Sequence, residues 1–268
     1  MKNKTVGIIG YGHVGVAMRK LFTDATPYDK YTGEYQGERW REAVNRCGTA
    51  FVCVPTPMNP DGSCDTTEVD DALSWTECPL IVLRSTVPVG YTDRKIEETG
   101  KHIVFQPEYY GDTVAHPFAD LRARKWLAFG GRPEDVRAAI GVYQTVMNAD
   151  IQICMTDAKT AELAKYMENA FLATKVIFCN EFFDIAEKFG VSYDALREVW
   201  TADPRIGRSH TFVYEDERGY GGACLPKDMA AIIRQAEEAG ANPALLRAVQ
   251  TKNALYGNPA PSDASALQ

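Results

Sequence analysis

Thr5-Val6-Gly7-Ile8-Ile9-Gly10-Tyr11-Gly12-His13-Val14-Gly15 decides the fold. Thr5 to Ile9 reads as a short buried strand, and Val14, Ala17, Met18 and Leu21 then recur at helical spacing. Between them stands Gly-x-Gly-x-x-Gly, in the strand–turn–helix setting that a dinucleotide-binding loop requires. The first glycine makes the turn, the second admits a pyrophosphate, and the third lets helix pack on strand. About 20 residues on, an acidic residue is expected at the adenosine ribose. Asp29, in Thr26-Pro27-Tyr28-Asp29, is the candidate and favours NAD over NADP, with Lys30 beside it opposing that preference slightly.

Outward from this stretch, strand and helix alternate. Ala50–Val54 is a continuous apolar run, as expected of a buried parallel strand, and Leu80–Leu83, His102–Phe105, Trp126–Phe129 and Asp150–Met155 read as further strands. Arg39–Val44, Asp65–Trp75 and Pro133–Met147 read as helices. Pro55-Thr56-Pro57, the run Arg84 to Gly90, and Gln106-Pro107-Glu108 close three of the strands at carboxyl ends, where open α/β sheets bind ligands. The fold class is therefore α/β, with a Rossmann-type doubly wound parallel sheet over residues 1–155.

From Thr156-Asp157 the pattern is helical only, giving an all-helical domain over 156–256 and a loose Pro/Ser/Ala-rich tail over 257–268. No breaker occurs before Gly190, so one helix is expected from Asp157 to about Lys188. A helix of that length bridges two lobes or pairs with a partner chain, and a homodimer through it is expected. It carries Lys165 and Asn169 one turn apart on one face. Tyr193–Thr201 and Pro243–Leu255 are the next helices, with a loop through Asp203-Pro204-Arg205 between them.

Gly219-Tyr220-Gly221-Gly222-Ala223-Cys224-Leu225-Pro226-Lys227-Asp228 is the other decisive stretch. Its glycines let the backbone approach a ligand, and the proline marks a helix start just after Cys224. The positive end of a helix dipole favours a thiolate there.

Composition narrows the class. The chain has 268 residues and a formal net charge of −7, which argues against a general nucleic-acid binder. No apolar run is long enough to span a bilayer, so no membrane partner is expected. Met1-Lys2-Asn3-Lys4 leads straight into the first strand, without the pattern of a signal peptide. The seven cysteines form no CxxC pair, and reduced thiols in the cytoplasm are expected. The four histidines (13, 102, 116 and 210) lack metal-ligand spacing, and no metal site is expected.

Taken together, these motifs resemble the UDP-glucose/GDP-mannose dehydrogenase family. The resemblance runs in family order through Gly10–Gly15, Cys53-Val54-Pro55-Thr56-Pro57, Ser85-Thr86-Val87-Pro88-Val89-Gly90, Pro107-Glu108, Ala161 to Lys165, Asn169 to Ala173, Asn180-Glu181 and Gly219 to Asp228. It implies oxidation of a sugar-nucleotide primary alcohol to a carboxylate, with NAD accepting two hydrides. By resemblance Cys224 is the nucleophile, Lys165 and Asn169 stabilise the oxyanion, Asp228 and Thr86 hold a water for proton transfer, and Glu108 assists thioester hydrolysis. Gly10, Tyr11, Gly12, His13, Val14, Gly15, Asp29, Val54, Pro55, Thr56, Ser85, Thr86 and Lys227 would meet NAD. Glu108, Tyr109, Tyr110, Lys165, Asn169, Arg205, Tyr220 and Gly221 would meet the sugar nucleotide or a smaller sugar substrate.

The chemistry accounts for the set. An aldehyde has no hydride to give in tetrahedral form, whereas thiolate attack makes a thiohemiacetal that does, leaving a thioester for water to open. An ammonium and an amide aimed at the developing oxyanion lower the barrier, and a nearby carboxylate helps hydrolysis. Three departures from the family pattern stand out. The chain stops where a second, nucleotide-binding Rossmann-like domain is expected. The stretch between Asp29 and Ala50 is short. Tyr109-Tyr110-Gly111-Asp112 replaces the usual Leu-Arg-Glu-Gly type of run. Two alternatives stand beside this reading: a two-electron β-hydroxyacid-type dehydrogenase, which also has a helix Lys/Asn pair but needs no thiol, and an NAD-binding or dimerisation module without activity.

Overall fold

Seven short apolar segments pair into one sheet: β1 (Val6–Ile9), β2 (Thr26–Tyr28), β3 (Thr49–Val52), β4 (Ile81–Leu83), β5 (Ile103–Phe105), β6 (Trp126–Gly130) and β7 (Gln152–Thr156). The computed structural model describes residues 5–109 and 121–257. The expected features at Met1–Lys4, at Tyr110, Gly111, Asp112 and His116, and in the tail beyond Gly257 lie outside the described residues. Two compact units result: Met1–Thr56 with Asp65–Lys165, and Pro57–Cys64 with Tyr166–Gln268.

In the first unit the strand order is β2-β1-β3-β4-β5-β6-β7. The chain reverses its direction of travel across the sheet between β1 and β3, which makes that junction the topological switch point. Helices α1 (His13–Leu21) and α5 (Pro133–Tyr143) share a core with Ile8, Phe51, Val82, Val104 and Phe129. Helices α2 (Glu38–Asn45), α3 (Thr67–Trp75) and α4 (Tyr91–Thr99) share a second core with Ile9, Val52, Ile81, Leu83 and Phe105. Neighbouring strand residues such as Ile8 and Ile9 thus enter different cores, which is why these strands are apolar throughout.

The sheet departs from the all-parallel expectation in one place. Strands β1 to β5 run parallel, but β6 meets β5 antiparallel through the pair Phe105–Gly130, and β7 runs parallel to β6. A parallel neighbour needs a crossover helix, and between β5 and β6 the described residues contain a single 3-10 turn at Leu121–Ala123. Strand β2 and helix α4 had no sequence expectation. Strand β2 contains Pro27 and sits at the sheet edge, the position where a missing N–H is tolerated. Helix α4 buries Tyr91, Thr92 and Ile96 and ends on Gly100 at φ 69°.

Helix α6 (Ala158–Phe189) starts in the first unit and continues through the second. Asp157 caps it, accepting from the Thr160 N–H at 2.8 Å. The second unit adds α7 (Tyr193–Trp200), α8 (Leu225–Glu238) and α9 (Ala244–Ala254). Cys179, Ala186 and Tyr193 form a small core there, with Phe183, Leu196 and Trp200 packed on it. Along α6, Met167, Phe171, Phe178, Phe182, Ile185 and Phe189 remain exposed. Their spacing of three, four or seven residues places them in one stripe. No helix among the described residues is long and apolar enough to cross a membrane.

Candidate active site

The glycine loop leaves β1 at the switch point. Gly10 has φ 90°, and a Cβ there would meet the Cys53 carbonyl oxygen at 2.7 Å. At Gly15 a Cβ would collide with the Gly10 carbonyl. Gly12 differs: it is the N-cap of α1, and nothing lies within 4 Å of where its Cβ would be. The open space above the first turn of a helix suits an anionic pyrophosphate, which backbone N–H groups and the helix dipole attract. His13 and Val14 begin α1, with Val14 turned to the core.

Asp29 follows β2 and faces this loop. Its Oδ2 accepts from the Tyr11 N–H at 2.6 Å, and its Oδ1 accepts from Tyr31 and Thr32 N–H at 2.8 and 2.7 Å. Burial raises its pKa, but those three N–H groups outweigh it and hold the carboxyl below the usual range. The Tyr11 ring packs edge-on against Tyr35, centroids 4.7 Å apart. At the end of β3, the Val54 carbonyl accepts from Ser85 Oγ at 2.6 Å; Pro55 is exposed and Thr56 buried. Thr86 is half-buried in the next segment.

That segment is held by a residue that sequence reasoning had placed only within a motif. Glu162 of α6 is fully buried and accepts from the Gly90 and Thr92 N–H groups at 2.5 and 2.9 Å, capping α4. Burial pushes its carboxyl up, against the two N–H groups that favour the anion.

Glu108 occupies a buried ionic cluster. Its Oε2 pairs with Nη2 of Arg84, and its Oε1 accepts from Arg124 Nη2 at 3.0 Å and from the Tyr109 N–H at 2.7 Å. Arg84 also donates through Nη1 to Gln106 Oε1 at 2.6 Å and to the Tyr143 hydroxyl at 2.5 Å. Arg84 and Arg124 are 2% and 3% exposed, so Glu108 is an anion clamped between two desolvated cations. The side chain of Tyr109 is buried, its ring centroid 4.7 Å from that of Trp126 with the rings tilted by 57°, and Lys165 Nζ sits 4.8 Å from its ring centroid. Arg84, Arg124, Gln106 and Tyr143 carried no sequence expectation as site residues; a charged residue directly after an apolar strand run, as Arg84 is, was the available signal.

In the second unit Cys224 is the N-cap of α8 and its side chain is exposed. The Asp228 N–H donates to the Cys224 carbonyl at 2.9 Å, the first bond of the helix. The Asp228 carboxylate is buried; its Oδ2 accepts from Asn169 Nδ2 at 2.5 Å and its Oδ1 from Lys227 Nζ at 2.5 Å. A carboxylate partner fixes which way the Asn169 amide points, because only the NH₂ side can donate to it. The cysteine loop is pinned at its start. Gly219 N–H donates to Asn180 Oδ1 at 3.1 Å, and Tyr220 exchanges two hydrogen bonds with Asn253 at 2.8 and 3.0 Å. The Tyr220 side chain is buried, which pushes its hydroxyl up to about 12, whereas Gly221 is exposed. Arg205 lies in an exposed turn, paired with Asp203 at 2.5 Å. Asn169, Lys227 and Asp228 are thus brought together on the turn that Cys224 opens.

Comparison with known proteins places this architecture. The family model described as UDP-glucose/GDP-mannose dehydrogenase family, NAD binding domain, matches residues 29–169, and the central domain of that family matches residues 159–255. UDP-glucose 6-dehydrogenase of Pseudomonas aeruginosa is 32% identical over 230 residues, covering 80% of this chain and 50% of that protein. Among solved structures, a UDP-glucose dehydrogenase from Pyrobaculum islandicum superposes with a TM-score of 0.80 at 28% identity, covering 94% of this chain and 68% of that one. A 3-hydroxyisobutyrate dehydrogenase from Mycobacterium tuberculosis shares the fold, with a TM-score of 0.70, 20% identity and full coverage of both chains. The chain spans about half the length of the curated relatives it matches.

Proposed function

The chain belongs to the UDP-glucose/GDP-mannose dehydrogenase family, and from that premise we propose that it is an NAD-dependent dehydrogenase oxidising a sugar-nucleotide primary alcohol to the carboxylate through a thioester on Cys224. The observation that carries this reading is the exposed Cys224 at the head of α8, one turn from a buried Asp228 that orients the Asn169 amide. A reaction that stops at one oxidation has no use for such a thiol.

NAD, when bound at the Gly10–Gly15 loop with Asp29 at its ribose, supplies the hydride acceptor for both oxidations; the open Gly12 position and the α1 N-terminus fit it. The remaining work belongs to the chain's own residues. Cys224 attacks the aldehyde carbon to give a thiohemiacetal. By the family's roles, Lys165 and Asn169 stabilise the oxygen that gains charge. By the same resemblance, Asp228 and Thr86 are assigned the water that relays the hydroxyl proton. Glu108, paired with Arg84 and Arg124, is the carboxylate that assists hydrolysis of the thioester. Residues 1–155 serve as the NAD-binding part and 156–256 as the helical part with the cysteine loop.

The exposed stripe on α6 supports assembly as a homodimer, since an apolar face of this length in water is unfavourable. An odd count of seven cysteines with no CxxC pair supports a reducing, cytoplasmic setting. The test is the count of NADH formed per UDP-glucose or related sugar nucleotide consumed. Two supports the thioester route, one supports the β-hydroxyacid-type reading, and none with any substrate supports a binding module.

A further inference from the structure

Beside the Asp29 carboxylate lies a cleft lined by Gly10, Asp29, Lys30, Glu68, Asp71 and Trp75, at the carboxyl ends of β1 and β2 and beside α3. Lys30 is the residue that sequence alone would offer to a 2′-phosphate. It is not available as a cation: its Nζ lies 3.1 Å from Glu68 Oε1, 3.2 Å from Glu68 Oε2 and 3.8 Å from Asp71 Oδ2. The Tyr31 hydroxyl holds Glu68 in place, donating to Oε1 at 2.8 Å. The next cation, Arg41, is spoken for in the same way. It is 3.9 Å from Asp71, donates from Nε to the Tyr28 hydroxyl at 3.0 Å, and lies over the rings of Tyr28 and Trp75 at 5.4 and 5.0 Å. Three carboxylates (Asp29, Glu68 and Asp71) thus face two cations (Lys30 and Arg41).

We propose that Glu68 and Asp71 on α3 are the specificity-determining residues that reject a 2′-phosphorylated dinucleotide, by neutralising Lys30 and Arg41 and leaving the ribose end of the cleft net negative. Asp29 offers the ribose a hydrogen-bond acceptor. Its exclusion of a phosphate, however, depends on no nearby cation being free to take that phosphate, and α3 ensures this. The inference rests on the proposed NAD site and goes beyond the Asp29 assignment, since it places the selectivity on a helix outside the glycine motif.

The experiment is calorimetric titration of the full chain with NAD and with NADP, for wild type, Glu68→Gln, Asp71→Asn, the double variant, and the double variant with Lys30→Met added. Glutamine at 68 still accepts from Tyr31, so the local packing is kept. Removing each carboxylate is expected to tighten NADP about tenfold while moving NAD much less. Adding Lys30→Met is expected to cancel most of the gain. A double variant that binds NAD as before but NADP no better overturns the inference and leaves the NAD reading standing. Failure of wild type and every variant to bind either dinucleotide overturns the NAD reading and the inference with it. Retained gain in the triple variant overturns the role of Lys30.

Discussion

Glu108→Gln removes one charge and no volume from the cluster of Arg84, Arg124, Gln106 and Tyr143. Both guanidinium groups are almost wholly buried, so the change leaves two desolvated cations facing a neutral amide. Removing one partner of a buried pair costs about 3–5 kcal/mol, and here one anion serves two cations, so the upper part of that range applies, about 4–5 kcal/mol. With a urea dependence of about 2–3 kcal/mol per molar, the midpoint should fall by about 1.3–2.5 M. Trp126 packs against Tyr109 next to the cluster, and Trp40 and Trp75 lie in the same unit, whereas Trp200 belongs to the other. Fluorescence-detected unfolding in a Trp200→Phe background therefore reports on this unit alone. The Glu108→Gln/Arg124→Met pair should cost clearly less than the sum of the singles, because the second change removes one of the stranded cations. A midpoint shift below about 0.3 M, or strict additivity in the cycle, would refute the clamped anion.

Four further outcomes are expected. Under iodoacetamide, the exposed Cys224 and Cys154 should label first, while Cys53 and Cys78, pushed up to about 12 by burial, should stay unlabelled in peptide mapping until the chain unfolds. Wild type is expected to run as the proposed homodimer in light scattering at micromolar concentration and Met167→Asp with Phe171→Glu as a monomer; a wild-type monomer would contradict the assignment of the α6 stripe. Asp29→Ala should weaken NAD and improve NADP relative to it in binding titrations, and equal loss for both would remove Asp29 from the ribose. Because the folded Asp29 pKa is depressed, its stabilising effect is complete above the ordinary value of 3.8 and is lost as pH falls through the lower folded value. The stability gap between wild type and Asp29→Asn should then be flat from pH 7 down to about 5 and close only in stronger acid.

What could be read in the sequence was local. The glycine loop, Asp29 and the placement of Cys224 before a helix depend on a few adjacent residues, and each lies where spacing put it. Helix α4 was not legible because Thr92-Asp93-Arg94-Lys95 is polar and its buried face is sparse. Strand β2 was hidden by its length and by Pro27. The direction of β6 depends on how the chain returns to the sheet, which no local pattern encodes. The clamp on Glu108 draws on residues 84, 106, 109, 124 and 143, and the cap on α4 comes from Glu162, some seventy positions later. Such contacts exist only once the strands are assembled.

The three glycines of the first loop have different evolutionary liabilities. Gly10 and Gly15 are demanded by the chain's own backbone, so any lineage that keeps the fold must keep them, whatever it binds. Gly12 answers to no such demand: its φ of −74° suits any residue, and a serine or aspartate there would cap α1 better by a few tenths of a kcal/mol. Position 12 is therefore the part of the motif that drift would erase first if dinucleotide binding were abandoned, and a comparison across descendants of this chain can use it as a marker of whether that selection persists.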